Sequence, residues 1–211
     1  MIKRWRQLIL EVTEIEKFGK YKYKVFLDGE FAFWLYWKEL QCFGLKEHVC
    51  ISKDTYEKIL NEVILQKAKN KAIALLQYMN RTEQELRQKL KMYLYPSDVI
   101  EQVIAYLYDY NYLDDERYVE CFIRCNKNNH SRRWMERKLV QKGIALNGIQ
   151  QYFEDDYSEE NVLRKALEKK MRGKRIDSQK EKEKVMAYLF RQGFSINGVR
   201  QVLKEYMESQ D

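Results

Sequence analysis

Proline occurs once in these 211 residues, at Pro96, and glycine eight times. With so few helix breakers and 34% charged residues, the chain favours long amphipathic helices. Cysteine is scarce as well. Four cysteines at irregular positions give no disulfide framework, which points to a reducing cytosol. Met1 to Trp5 is followed by no apolar h-region, so no signal peptide is read. No stretch approaches the roughly 18 apolar residues of a membrane span. Gly-rich phosphate loops, Gly-x-Ser-x-Gly and His-Glu-x-x-His are all missing. Nothing in the sequence argues for catalysis, and neither a cofactor nor a metal is expected. What is in excess is positive charge, net +7, which raises the expectation of a polyanionic partner.

The chain is organised around a stretch that occurs three times. The first copy is Leu90, a turn, Pro96-Ser97-Asp98 and the apolar set Val99, Ile100, Val103, Ile104 and Leu107. The second is Leu139, Lys142-Gly143-Ile144, Asn147-Gly148, then Ile149, Tyr152 and Phe153. The third is Leu189, Gln192-Gly193-Phe194, Asn197-Gly198, then Val199, Val202, Leu203 and Tyr206. The leading leucines lie 49 and 50 residues apart, each ten residues before its paired apolar position. A fixed period of this size marks a repeat array. In each repeat a helix ends, the chain turns near Gly143 or Gly193, and a second apolar-faced helix begins. Glycine suits that turn because it takes a positive φ without strain.

Residues 6–35 look different. Leu8-Ile9-Leu10-Glu11-Val12 is a strand candidate, and Phe18-Gly19-Lys20 a turn. Tyr21, Tyr23 and Val25 alternate with Lys22 and Lys24, a period of two. Asp28-Gly29 is a hairpin signal, and Phe31 to Leu35 returns. We read a small antiparallel sheet that packs on the helices. Trp34, Tyr36 and Trp37 have the chemistry to stack on bases, but aromatics in strands more often belong to a core. Lys38 to Ile51 reads as a short helix and a short strand at Val49-Cys50-Ile51. Ser52 caps a helical stretch over residues 53–79, continuous or broken near Leu65, with a stripe of Ala72, Leu75, Leu76 and Met79.

Thr82 and Glu85 form a capping box; Leu86 and Leu90 face inward. Pro96 opens the next helix, and Asn111 ends it in a left-handed conformation. In repeat two the helix from Asp115 to about Asn126 buries Tyr118, Phe122 and Cys125. Ser131 caps a helix with Trp134, Met135 and Leu139, and a third helix spans residues 147–154. Glu154 to Glu160 is an acidic link in which Ser158 caps the next helix, bearing Val162, Leu163, Ala166, Leu167 and Met171. After the loop from Arg172 to Asp177 come Val185, Met186, Leu189 and Phe190, and Ser195 starts the last helix. The expected architecture is mainly α: tandem three-helix repeats in an elongated curved array, with a small N-terminal antiparallel β-hairpin segment. Its divisions are residues 1–52, 53–110, 111–157 and 158–211.

Asp114-Asp115 with Glu116 invites a metal or acid–base reading, but an N-cap and an acidic first turn explain it better. Cys121 and Cys125 lie four apart with His130 nearby. A fourth zinc ligand is missing, and small buried hydrophobes explain the cysteines. The basic blocks are more informative. Arg124 to Lys142 holds seven Lys/Arg against one acid, and Arg164 to Lys184 ten against four, each a net of +6. Residues 143–161 between them carry five acids and no Lys or Arg. On a helix, Arg133 and Arg137 fall opposite Met135 and Leu139, with Lys138 and Lys142 flanking. Lys165, Lys169 and Arg172 share a face opposite Leu163 and Leu167. Such faces suit salt-dependent phosphate contact, or an acidic protein partner. From charge and position, the contact residues are Arg132, Arg133, Arg137, Lys138 and Lys142, then Lys165, Lys169, Arg172, Lys174 and Arg175.

Four stretches carry a resemblance: Arg81 to Leu90 (RTEQELRQKL), Tyr112 to Tyr118 (YLDDERY), Arg137 to Ile144 (RKLVQKGI) and Phe190 to Phe194 (FRQGF). In order and spacing they resemble RecX, the bacterial regulator of the RecA recombinase, over residues 68–206. The N-terminal segment resembles an extension found in some members. Asn111 stands where Gly is usual, and Tyr118-Val119 where Phe-Ala is common. The resemblance implies three tandem three-helix repeats lying in the helical groove of the RecA–single-stranded-DNA filament. It implies no catalytic residues. Its role in DNA repair would be to modulate filament growth, ATP hydrolysis and strand exchange, usually by inhibition. The cysteine usage places the protein in the cytoplasm, and an array that follows a groove needs no dimer, so a monomer is expected.

Two other readings compete. One is a direct DNA-binding protein with helix-turn-helix-like repeats, acting without RecA. Against it, a helix such as Ile149 to Glu154 is acidic or neutral where a recognition helix presents Arg, Asn or Gln. The other is a nuclease using Asp114 and Asp115, in which mutation of either would abolish activity without lowering stability.

Overall fold

The computed structural model describes residues 9–145, 147, 149–153 and 157–209. Leu8 of the first strand, Gly148 of the second turn and Glu154-Asp155-Asp156 of the acidic link lie outside the described residues. The chain divides into two compact units, Met1–Asp114 and Asp115–Asp211.

The first unit opens with four strands, β1 (Ile9–Lys17), β2 (Lys22–Leu27), β3 (Glu30–Tyr36) and β4 (Cys50–Ser52). They form an antiparallel sheet in the order β3-β2-β1-β4. The alternation in β2 sets the faces: Val25 pairs with Ile15 on one side and Phe33 on the other. That row is turned inward, and Val25, Leu27, Phe33 and Leu35 are buried. The Asp28-Gly29 turn takes φ of 50° and 81°, the doubly positive geometry that matches strand twist. Its side chains fasten it to β1: the Glu11 N–H donates to Asp28 Oδ1, and the Gly29 N–H to Thr13 Oγ1, both at 3.0 Å.

Helix α1 (Trp37–Cys42) precedes β4, and α2 (Lys53–Lys58) follows it, capped by Ser52 Oγ accepting from Thr55 N–H at 3.1 Å. The helical path then runs unbroken to Tyr78, through a π-helical stretch at Ile59–Ile64 into α3 (Leu65–Tyr78). The stretch explains a mismatch in the sequence. The buried positions are Tyr56, Ile59, Ile64, Ala68 and Ala72, so the step from Ile59 to Ile64 is five residues. The π geometry absorbs the extra residue without ending the helix. The expected stripe therefore ends early. Leu75 and Leu76 are half-buried, while Met79 is extended (φ −163°) and exposed.

Helices α4 (Glu83–Met92) and α5 (Ser97–Asp109) complete this unit. The capping box forms: Glu85 N–H donates to Thr82 Oγ1 at 3.3 Å, and Thr82 N–H to Glu85 Oε2 at 3.2 Å. Pro96 is the cap of α5 rather than its first residue. Val99, Ile100, Val103, Ile104 and Leu107 are all buried, in one core with the sheet's Leu10, Val12, Phe33 and Leu35. The sheet therefore packs on the first repeat, as expected.

The second unit holds α6 (Asp115–Asn126), α7 (Arg132–Gln141), a 3₁₀ turn at Ile149–Phe153, α8 (Glu159–Met171), α9 (Gln179–Arg191) and α10 (Ile196–Glu208). Ser131, Ser158 and Ser195 cap their helices as read from the sequence. Two expectations are corrected. Among the described residues, the expected third helix of repeat two is a 3₁₀ turn, because one turn's worth of apolar residues is too little packing to sustain an α-helix. The buried face of α6 is Val119 and Ile123; Tyr118 and Phe122 are half-buried and Cys125 is exposed.

The three copies share one bond pattern. After the leading leucine, the N–H groups of Leu94, Gly143 and Gly193 donate to Lys91, Val140 and Phe190 carbonyls, each at 2.9 Å. The next residues, Tyr95, Ile144 and Phe194, donate to the carbonyls of Leu90, Leu139 and Leu189 at 3.2, 3.0 and 3.3 Å. This is a left-handed helix end repeated three times. Gly143 and Gly193 take it at φ of 87° and 92°; Leu94 takes it at 62° with a side chain in place. Asn111 adopts the same conformation at 55°, as expected.

Candidate nucleoprotein interface

The ten basic residues singled out by charge all lie in the second unit, in different surroundings. Arg132 is half-buried and committed to the fold. Its Nε bonds Glu136 at 2.8 Å, and its guanidinium sits 5.0 Å from the centre of the Phe153 ring. Arg133 and Arg137 are exposed and come together, with Glu136 and Phe190, around a cavity of about 600 Å³. Arg137 is oriented from two sides, donating to the carbonyls of Arg133 (3.3 Å) and Arg191 (3.4 Å). The second bond meets the C-terminal end of α9, where a cation is electrostatically favoured.

Lys138 and Lys142 stand over rings. The Lys138 ammonium is 5.8 Å from the Trp134 ring and 3.3 Å from Gln141 Oε1; Lys142 is 5.5 Å from the Tyr118 ring. These rings belong to a row. Tyr118 stacks on Phe122 at 6.4 Å, Phe122 on Trp134 at 6.3 Å, and Trp134 on His130 at 3.7 Å. All four are half-buried. Sequence reasoning missed this row. The spacing of Tyr118 and Phe122 signals a helix face, but the addition of Trp134 and His130 depends on how α6 and α7 pack.

Lys165 and Lys169 are exposed on α8 and line a smaller cavity with His130. Burial, then the Lys169 charge, lowers the pKa of His130. Arg172, Lys174 and Arg175 are exposed beyond the end of α8. Arg172 has left the helix, at φ of 47°, so it does not continue the face of Lys165 and Lys169. The Tyr206 hydroxyl holds this loop by donating to the Lys174 carbonyl at 3.1 Å.

In the first unit Trp34 is 6% exposed. Lys22 and Lys67 lie 4.7 and 4.4 Å from its ring, and its Nε1 donates to the Tyr93 carbonyl at 3.0 Å. It belongs to the core edge, while Tyr36 and Trp37 remain exposed. Lys67 is ion-paired with Glu39, yet burial lowers its pKa overall. Asp115 and Glu116 form the acidic first turn of α6. Cys121 Sγ accepts from Arg124 at 3.5 Å, and all four cysteines are unpaired thiols. Among the described residues, no group of three or more His, Cys, Asp or Glu is placed to hold a metal, and no helix is long and apolar enough to cross a membrane.

Fold and surface together define a class: a mainly helical protein of three-helix repeats, fronted by a small sheet, that presents cations beside half-buried rings. Comparison with known proteins sharpens this. Residues 68–107 match the family model of the RecX first three-helix domain, and residues 158–203 that of the RecX third three-helix domain. The chain is 30% identical over 200 residues to the regulatory protein RecX of Caldanaerobacter subterraneus subsp. tengcongensis, covering 93% of this chain and 98% of the relative. It is 30% identical over 203 residues to that of Staphylococcus epidermidis, covering 94% and 76%. A crystal structure of regulatory protein RecX superposes with a TM-score of 0.61 at 22% identity, covering 92% of this chain and 99% of that one. RecX from Lactobacillus salivarius gives 0.58 at 24%, covering 69% and 97%. The chain belongs to the RecX family of regulatory proteins.

Proposed function

We propose that this protein regulates the RecA recombinase by lying in the groove of the RecA–single-stranded-DNA filament, where it slows ATP hydrolysis and strand exchange. It acts in the cytoplasm as a monomer, in three repeats over residues 53–110, 111–157 and 158–211. The observation that carries the reading is the placement of six cations on one unit: Lys138 and Lys142 over rings of the aromatic row, Lys165 and Lys169 at the cavity beside His130, and Arg133 and Arg137 at the other cavity. Exposed ammonium and guanidinium groups meet phosphates or carboxylates without reading sequence, as a groove binder on any DNA requires. Arg172, Lys174 and Arg175 extend the contact; Arg132 supports it by holding α7.

The test is binding to single-stranded DNA, bare and as preformed filament, across a salt series with RecA ATPase read in parallel. Tighter binding to the filament than to bare DNA, with ATPase lowered, is the expected result. Equal binding to bare DNA with ATPase untouched would favour direct DNA binding instead. Reversal of Arg133, Arg137, Lys169 and Arg172 to Glu should abolish both effects. Intact filament and DNA binding in that folded variant would show the contact residues to be elsewhere.

A further inference from the structure

The smaller cavity of the second unit, about 380 Å³, is walled by Asn128, Asn129 and His130 on one side and by Lys165 and Lys169 of α8 on the other. Among the described residues, no carboxylate lines it. Lys165 and Lys169 are one helical turn apart, so their stems leave the same face. Neither makes an ion pair among the described residues. The opposite wall is held in place. His130 N–H donates to the Asn126 carbonyl at 3.1 Å, Asn126 Nδ2 to the Phe122 carbonyl at 2.7 Å, and the Tyr157 hydroxyl to the His130 carbonyl at 3.2 Å. The His130 ring is clamped on Trp134. The cavity thus has fixed walls, two ammonium groups, carboxamide and imidazole donors, and no counter-charge among the described residues.

We propose that this cavity seats a backbone phosphate of a nucleic-acid strand, with Lys165 and Lys169 supplying charge and His130, Asn128 and Asn129 supplying hydrogen-bond donors. The inference rests on the nucleoprotein reading above and gives it a specific contact. A backbone phosphate fits better than a protein carboxylate because its two non-bridging oxygens sit on a tetrahedral phosphorus and accept from donors on either side, whereas a carboxylate's oxygens favour donors near one plane.

The chain has only two histidines, so each imidazole resonance is readily assigned, and His48 in the other unit serves as control. The full chain is titrated at fixed, mildly alkaline pH with inorganic phosphate, with a thymidine oligonucleotide and with a glutamate-rich peptide. Phosphate and oligonucleotide should move the His130 resonance and leave His48 still. Lys165→Gln/Lys169→Gln should remove the shift and flatten the logarithmic salt dependence of oligonucleotide binding by about 1.4, two contacts at ~0.7 each. Lys165→Arg/Lys169→Arg, with charge kept, should retain the shift. A His130 signal silent to phosphate and oligonucleotide overturns the proposal, as does a larger response to the peptide or a glutamine variant indistinguishable from wild type. A silent His130 with RecA ATPase still lowered sinks this site alone. A responsive His130 with ATPase unaffected sinks the filament reading alone.

Discussion

The Ser131 hydroxyl donates to the Gln192 carbonyl at 2.6 Å while accepting from the Trp134 N–H at 3.2 Å. One buried oxygen thus caps the start of α7 and satisfies a carbonyl at the end of α9. The positive end of one helix dipole is set against the negative end of another. Repeats two and three are joined here by main-chain polarity as well as by apolar contact.

Ser131→Ala removes both bonds, so we expect a loss of about 2 kcal/mol, roughly 1 from the cap and 1 from the link. Ser158 is exposed and caps α8 only, so Ser158→Ala should cost about half as much. Urea unfolding of the two variants measures the difference. Equal losses would mean that the bond to Gln192 contributes nothing.

Gly193 follows that carbonyl, at φ of 92°, and a Cβ there would lie 2.7 Å from Ser131 Oγ and 3.2 Å from Trp134 N. Gly173 has a similar φ, 78°, with open space around it. Gly173→Ala should cost about 1–2 kcal/mol for the left-handed backbone alone. Gly193→Ala should add roughly 1–3 kcal/mol of overpacking. Combined with Ser131→Ala, its cost should fall below the sum of the two single losses, because the closest clash is gone. Matching losses at the two glycines would rule out the steric account.

Leu94 occupies the corresponding position in repeat one, at φ of 62° and half-buried. Leu94→Gly relieves about 1 kcal/mol of backbone strain and gives up a comparable amount of burial and chain entropy. Its melting temperature should stay close to wild type. Leu90→Ala, four residues earlier and fully buried, should cost about 2–5 kcal/mol. A Leu94→Gly loss as large as that of Leu90→Ala would show that the side chain, not the backbone, governs the position.

His130 makes stability depend on pH. Burial and Lys169 hold its pKa below the ordinary histidine value, so the unfolded chain takes up the proton more readily. This contribution is fully present above about pH 6.5, the unfolded value, and is lost as pH falls through it towards the folded one. Glu159, whose pKa burial raises, works in the opposite sense at lower pH, so the comparison must be made between variants. His130→Gln should unfold with a shallower pH dependence than wild type between pH 7 and 5.5. Parallel curves would remove His130 as the cause.

Much of this was legible in the sequence because local chemistry decided it. The serine caps, the Thr82–Glu85 box, the Asp28-Gly29 turn and the left-handed Asn111 each depend on residues a few positions apart. The π-helical stretch was visible only as uncertainty near Leu65, because a five-residue apolar step looks like a break until the packing partners are known. The phase of α6 was misjudged for a related reason: large aromatics such as Tyr118 and Phe122 mimic a core face while lying at its margin. For the candidate site, charge alone marked the ten cations but not their surroundings. Composition does not distinguish Arg132, bound to Glu136, from Arg133 at a cavity wall, nor does it bring His130 to Lys169 across the loop.

The shared core of the first unit also sets an order of events during synthesis. Val25, Phe33 and Leu35 leave the ribosome early, but the core they belong to is completed by Val103 and Leu107, made more than fifty residues after Ser52. At about 5–20 residues per second the sheet waits roughly 3–11 s for its other half. Until then it is a nascent apolar face in need of shelter.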